Sequence, residues 1–296
     1  MRGSEESPTF SDMLFELSNS IRYNLLKSIQ NKSKRPSVIA TQLGLSPPEV
    51  SRNFTRLYES SLITKDVDNY YSITNLGEHV LILLEDLEFL FHNRNYFVSH
   101  SSVKIPSSFQ KRISELSDYT PATTFMEFVT AINELVKDSK DYIWLYIDQY
   151  PLIALDTIRA SLENGVKIRI IEQRNLLGPK VAFDKEYLIE TSDVSSDVQI
   201  RIQDECDVYL LVSDAGCVVA FPTDTGFDYS GFICKNPDKS KWCADVFNYY
   251  WENSVKADIA KAIDLQDTIK LSNHTNIQKR ADEWLKIFSR LPWSEQ

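Results

Sequence analysis

Leu43-Gly44-Leu45-Ser46-Pro47-Pro48-Glu49-Val50 reads as a tight turn that launches a helix. Ser46 suits the capping position, and Glu49, three residues on, completes a capping-box pattern in which each side chain bonds the other's backbone N–H. Pro47 fits the first helical position, where no N–H is needed. Upstream, Ile39, Ala40 and Leu43 recur at helical spacing from Pro36, and Gly44 supplies the left-handed residue that a helix end favours. The stretch therefore predicts helix, short turn, helix.

Its flanks extend the pattern. Phe10, Leu14, Leu17, Ile21 and Leu25 fall at steps of three and four, which predicts one preceding helix with an apolar stripe to cover the other two. Downstream, Leu62–Lys65 and Tyr70–Thr74 are β-prone runs around the polar segment Asp66-Val67-Asp68-Asn69, a hairpin. Three helices and a hairpin make a winged helix-turn-helix, an α+β domain whose second paired helix enters the major groove of DNA.

Within that recognition helix Val50, Phe54 and Leu57 share one face, leaving Pro48, Ser51, Arg52, Thr55 and Arg56 directed elsewhere. Arg52 is the expected base reader, because a planar guanidinium can bond two guanine acceptors, and Ser51 is placed to reach a base edge or a phosphate. Arg56, Lys34, Arg35 and Lys65 are expected on phosphates. From Arg22 to Lys65 eight cations face two carboxylates, a local net of +6, although the whole chain carries −10. The basic island points to local contact with double-stranded DNA rather than coating by the entire surface. Asp66 and Asp68 depart from a basic wing, so Asn69 and Tyr70 are the expected contacts there, and Ser46 completes the DNA-facing set.

With 296 residues, 43% of them hydrophobic, two domains are expected. Residues 1–92 form the first, ending in a helix whose stripe Leu76, Val80, Leu83, Leu84, Leu87, Leu90 and Phe91 is greasier than one small core requires. Such a helix suits a homodimer or packing onto the second domain. Residues 93–120 read as a connector holding a short helix through Phe109, Ile113 and Leu116, with His100 as a structural hydrogen-bonder. Residues 121–255 alternate strand and helix: Tyr142–Ile147, a helix from Pro151 to Asn164, then Val166–Ile171 make a βαβ unit. Val198–Ile202, Val208–Val212 and Cys217–Phe221 add strands. Trp242, Val246, Phe247, Tyr250 and Trp251 lie along a helix, and residues 256–296 read as a helical tail through Ile277, Ala281, Trp284, Leu285 and Phe288.

In the second domain Trp144, Tyr146 and Asp148 alternate along a strand, with Gln149 beyond, and could line a pocket for a small-molecule effector. Cys206, Cys217, Cys234 and Cys243 contain no Cys-x-x-Cys pair and read as reduced thiols, with no metal site expected. No Gly-x-Gly-x-x-Gly or Gly-x-x-x-x-Gly-Lys offers a nucleotide cradle, so no cofactor is expected. No apolar run approaches the roughly 20 residues of a membrane span, the N-terminus lacks an apolar signal core, and a cytoplasmic protein without membrane partners is expected.

The chain resembles the archaeal winged-helix transcription regulators of the methanogenesis-regulator type, whose C-terminal half is similar to a phospholipase D-like domain. The resemblance rests on Ser51-Arg52 and the hairpin, on Phe97-Val98-Ser99-His100 with Ile105-Pro106, Ile113 and Leu116, and on the run from Trp242 to Trp251. It implies a DNA-binding regulator with an α/β second domain that senses a signal or mediates assembly. A phospholipase D mechanism needs a nucleophilic His two residues before Lys. His79, His92, His100 and His274 all lack that Lys, so no catalytic residue is expected. The competing readings are a protein-binding adaptor, favoured by the acidic wing tip, and a phosphodiesterase with an unrecognised site.

Overall fold

The computed structural model describes residues 9–174 and 197–256, so the expected helix through Ile277 and Phe288 lies outside the described residues. By contacts the chain divides into two units, Met1–His92 and Asn93–Gln296.

In the first unit α1 (Phe10–Leu17) and α2 (Ser20–Ser28) replace the single helix expected from the apolar spacing. The break falls at Ser18-Asn19. Asn19 takes extended backbone and its side chain accepts from the Arg22 N–H, starting a new helix where the apolar rhythm would have carried the old one through. Phe10 and Leu14 are accordingly exposed, while Leu17, Leu25 and Leu26 enter the core. Next come α3 (Pro36–Leu43), with Gly44 left-handed at φ 67°, and α4 (Pro47–Glu59). Val50, Phe54 and Leu57 of α4 are fully buried against Leu25, Leu26 and Ile39. Strands β1 (Ile63–Lys65) and β2 (Tyr71–Ile73) pair antiparallel, and Phe54 stacks on Tyr71 at 4.4 Å, tying the hairpin to α4.

Helix α5 (Asn75–His92) follows only part of the expected stripe. Val80 and Leu84 pack against the core beside Gly77 and Leu81, while Leu83, Leu87 and Phe91 are 61%, 60% and 62% exposed. The close approach at Gly77 selects this rotation, since a Cβ there would collide with the Leu62 carbonyl and the Ile73 side chain. Tyr23 and Lys27 hold the inner edge by bonds of 2.6 and 3.0 Å to Glu88.

The second unit is a mixed eight-stranded sheet between helices. Stretch 93–120, expected as a connector with one short helix through Phe109, Ile113 and Leu116, is packed into it, and the helix is split into a turn at Ser107–Gln110 and another at Ile113–Leu116. It contains α6 (Arg94–Phe97) and α7 (Ser107–Gln110), with Tyr96 stacked on His100 and edge-on to Phe232, and Phe109 edge-on to Trp242. Aromatic burial explains why this polar-looking stretch is ordered. Then follow β3 (Thr120–Ala122), α8 (Phe125–Asp138), β4 (Tyr142–Ile147), α9 (Leu155–Glu163), β5 (Lys167–Gln173), β6 (Val198–Gln203), β7 (Tyr209–Ser213), β8 (Gly216–Ala220), β9 (Gly231–Cys234), α10 (Lys241–Asn253) and β10 (Val255–Lys256). Sheet order is β10-β6-β5-β4-β7-β8-β9-β3; β4, β5 and β6 run parallel and the remaining pairs antiparallel. Ile143, Leu145 and Ile147 of β4 enter the core beneath α8 and α9, whereas the alternate residues turn toward α10.

Helix α8 begins with a complete capping box: Glu127 N–H donates to Thr124 Oγ1 at 3.2 Å, and Thr123 and Thr124 N–H donate back to the Glu127 carboxylate. Thr124→Ala is expected to cost about 1 kcal/mol, a drop of roughly 2–4 °C in the unfolding temperature of a domain this size. Calorimetry checks it, and an unchanged melt would refute a stabilising cap.

Candidate nucleic-acid interface

Three side chains of α4 stand outward: Ser51, Arg52 and Thr55 are exposed, and Arg52 makes no ion pair among the described residues. Thr55 Oγ1 donates to the Ser51 carbonyl at 3.1 Å, which settles the hydroxyl against the helix. Pro48 and Ser46 are exposed at the helix start. Ser46 occupies the capping position, with φ −76° and ψ 144°, but its side chain makes no cap bond. The expected Ser46–Glu49 box is therefore absent. Prolines 47 and 48 have no N–H, so two of the donors that a cap would satisfy do not exist.

The hairpin gathers the other cations. Lys34 N–H and C=O pair with Tyr71 at 3.1 and 2.9 Å, bringing the segment before α3 alongside β2. Arg35 lies 4.7 Å over the Tyr70 ring and Lys65 5.6 Å over Tyr71, while Lys34 Nζ donates to Gln42 Oε1. Lys34, Arg35, Lys65 and Tyr70 thus form one basic-aromatic edge. At the tip Asn69 is left-handed, φ 62°, and Asp66 accepts from the Asp68 and Tyr70 N–H groups. The Asp66 carboxylate is consumed by the turn, which accounts for an acid in a loop otherwise suited to phosphates.

Arg56 departs from its expected phosphate role. Its Nε and Nη2 donate to the two oxygens of Glu16 at 2.8 and 2.6 Å, and Arg22 Nε reaches the same carboxylate at 3.0 Å. Glu16 is 10% exposed and Arg22 7%. The bidentate fork holds Arg56 above its ordinary pKa, first through the hydrogen bonds and then through Glu16's charge. The spacing of α4 alone could not reveal this, because the partner lies 40 residues upstream on α1. A depression of about 550 Å³ beside it is lined by Asp12, Glu16, Glu59, Arg52, Thr55 and Arg56 among others. Three carboxylates there make the C-terminal side of α4 unfavourable to phosphates. The cationic approach is from the Ser51 end and the hairpin.

In the second unit the four expected pocket residues do not share a cavity. Trp144 stacks on Phe247 at 5.2 Å, and Tyr146 is fully buried against Tyr250 with its hydroxyl donating to the Glu205 carbonyl at 2.8 Å. Asp148 instead accepts from Tyr229 Oη at 2.9 Å, in the core beneath α8, and burial raises its pKa. Gln149 is exposed. Period-two aromatics in a sheet covered on both faces are packing under a helix, and the shared-face argument fails where β4 ends.

His100 is buried and bonded at both nitrogens, to the Tyr96 carbonyl at 2.8 Å and to Ser230 and Asp228. All four cysteines are free and buried; Cys217 and Cys243 converge on Tyr119 Oη at 3.5 and 3.8 Å. Among the described residues no group of three or more His, Cys, Asp or Glu could hold a metal ion, and no helix is long and apolar enough to cross a membrane.

No protein-family profile and no curated protein matches the chain. Solved structures similar to it include TrmBL2, an archaeal chromatin protein described as showing a novel mode of DNA binding, at 16% identity and TM-score 0.41, covering 84% of this chain and 100% of that one. Nuc from Salmonella typhimurium, a phospholipase D family member, is 12% identical at TM-score 0.33, covering 45% of this chain and 89% of its own. NucT from Helicobacter pylori is 12% identical at TM-score 0.35, covering 47% and 98%.

Proposed function

We propose that this chain is a sequence-specific, duplex-DNA-binding transcription regulator of the winged helix-turn-helix type, acting as a homodimer, with a non-catalytic second domain that senses a ligand or mediates assembly. One observation carries the reading: Ser51, Arg52 and Thr55 stand exposed on the outer face of a helix whose inner face is locked in a core, beside the edge formed by Lys34, Arg35 and Lys65. A rigid helix presenting a bidentate donor, flanked by point charges, meets the requirement that bases specify and phosphates position. The outward stripe of α5 supports the dimer, since three adjacent apolar side chains at about 60% exposure gain by meeting their symmetry mates.

Selection of bound fragments from a random duplex pool tests this reading. Enrichment of a two-fold symmetric site with half-sites roughly 34 Å apart is expected. Leu83→Glu with Leu87→Glu is expected to give a monomer by light scattering and to weaken retention of that site at least tenfold. A pool that emerges unenriched at near-physiological salt would sink the regulator, and a dimer surviving both substitutions would remove α5 from its interface. The adaptor reading is favoured by the acidic hairpin tip and by Arg56's engagement with Glu16; it predicts no salt-dependent duplex retention at all.

A further inference from the structure

Ion pairing is common among the cations of the second unit. Lys104 meets Glu205, Arg174 meets Asp204, Lys235 meets Glu134 and Lys239 meets Asp118, each on an exposed carboxylate. One face of the sheet breaks the pattern. Lys167 and Arg169 on β5, Arg201 on β6 and Lys256 on β10 make no ion pair among the described residues, in a chain whose net charge is −10.

Register puts the four together. Arg169 pairs with Gln199, two residues before Arg201 on the neighbouring strand, and Arg201 pairs with Lys256. Residues paired across strands share a face, so all four cations project from the same side. Tyr142 and Trp144 occupy that side too, opposite Lys167 and Arg169. Arg169 sits between two indoles, 5.6 Å from Trp144 and 5.3 Å from Trp251, and Arg201 lies 4.7 Å over Trp251. Arg201 also donates to the Trp251 and Ser254 carbonyls, contacts that fix its position without cancelling its charge. The guanidinium groups are held in place before any partner arrives.

We propose that the margin of this face left open beyond α10, where Lys167 and Lys256 are exposed and Arg169 and Arg201 half-buried, docks the phosphate backbone of duplex nucleic acid, independently of the recognition helix. Charge complementarity selects the occupant. From strand spacing and rise, Lys167 and Lys256 are about 16 Å apart, a reach over which a duplex presents several phosphates and a single small anion would leave most of the cations unanswered. The indoles of Trp144 and Trp251 are already engaged by Arg169, Arg201 and Phe247 and are not free to stack on bases, and Arg201 is held by two backbone carbonyls. Binding there is expected to be carried by phosphates and to vary little with sequence.

The test uses the full chain with Lys34→Gln, Arg35→Gln, Arg52→Ala and Lys65→Gln in place, so that the cations of the recognition helix and the hairpin edge do not contribute. Random-sequence duplex is still expected to bind, with affinity falling as salt rises. Adding Lys167→Gln and Lys256→Gln, both exposed and without an ion pair among the described residues, is expected to lower the slope of log K against log salt by about two and the affinity roughly thirtyfold near 0.15 M salt. The melting temperature should not move. In the unsubstituted chain, acetylation of Lys167 and Lys256 by an amine-reactive ester should be suppressed by duplex. Loss of all duplex binding with the first four substitutions, or an unchanged slope after the further two, overturns the proposal without touching the recognition-helix reading. Lysines already unreactive in the free protein would show the face covered by protein, and would overturn it as well.

Discussion

Replacing Arg52 with alanine is expected to weaken binding to the selected duplex by about 1–3 kcal/mol, a loss of roughly 5- to 150-fold, with no change in thermal unfolding. Stability is spared because Arg52 is exposed and makes no ion pair among the described residues, so nothing in the fold is left unsatisfied by its removal. The cost falls on recognition alone. Its neighbours on α4 set the register: Phe54, fully buried and stacked on Tyr71, prevents the helix from rolling, and Val50 anchors the turn that begins it. Fluorescence anisotropy with the selected site, its single-base variants and a scrambled duplex gives the discriminating pattern. Discrimination should collapse at one base pair while scrambled DNA is bound nearly as before. Lys34→Gln, by contrast, should weaken every duplex alike and lower the salt slope by about one. Undiminished discrimination by Arg52→Ala would remove Arg52 from the major groove.

That prediction was available from the sequence because the signals around α4 act locally. Gly44 is left-handed, Pro47 begins the helix, and the apolar spacing of Val50, Phe54 and Leu57 describes the buried face. Local signals became misleading where a second element decided the outcome. Apolar spacing continues from Leu17 to Ile21, yet Asn19 caps a new helix between them. Helix α5 is apolar nearly all round, so periodicity could not choose its inner face, and the contact at Gly77 did. Thr9, Ser46 and Thr124 each stand three residues before an acid, but the boxes close only at Thr9 and Thr124. At Ser46 the second proline removes the N2 donor, and the hydroxyl does not take the remaining Glu49 N–H that a box requires. Helix α8 carries a complete box and a legible buried face, Phe128, Ile132 and Leu135, so its helical period is written in the sequence as plainly as that of α4. Strands β3 and β9 are three and four residues long, too short for alternation to register. The expected pocket at Trp144 and Tyr146 required an open sheet face, and whether α10 covers that face is a property of the tertiary fold.

Glu16 is where this non-local information bears most on binding. Its carboxylate serves Arg22, itself nearly buried, and Arg56, which reaches across from α4. Glu16→Gln keeps the shape and one acceptor while removing the charge that both guanidinium groups answer. Arg22 retains the Glu16 and Phe15 carbonyls at 2.6 and 3.1 Å, so the unit should fold, at a cost of about 1–3 kcal/mol read in thermal or denaturant unfolding. Binding should move in the opposite direction. Arg56, no longer forked onto a carboxylate, gains access to the backbone beside Thr55, and the three-acid flank that repels phosphates loses one member. The slope of log K against log salt is expected to steepen by about one, and random-duplex affinity to rise roughly fivefold near 0.15 M salt. Arg56→Gln in the otherwise unsubstituted chain separates charge release from loosened packing: it should leave the salt slope unchanged, because the charge it removes is already spent on Glu16. If Arg56→Gln alone flattens the slope, Arg56 leaves Glu16 for phosphate on binding and the ion pair is a resting contact. If Glu16→Gln lowers stability with no change in slope, the carboxylate only holds α1 against α4, and the DNA footprint ends before Arg56.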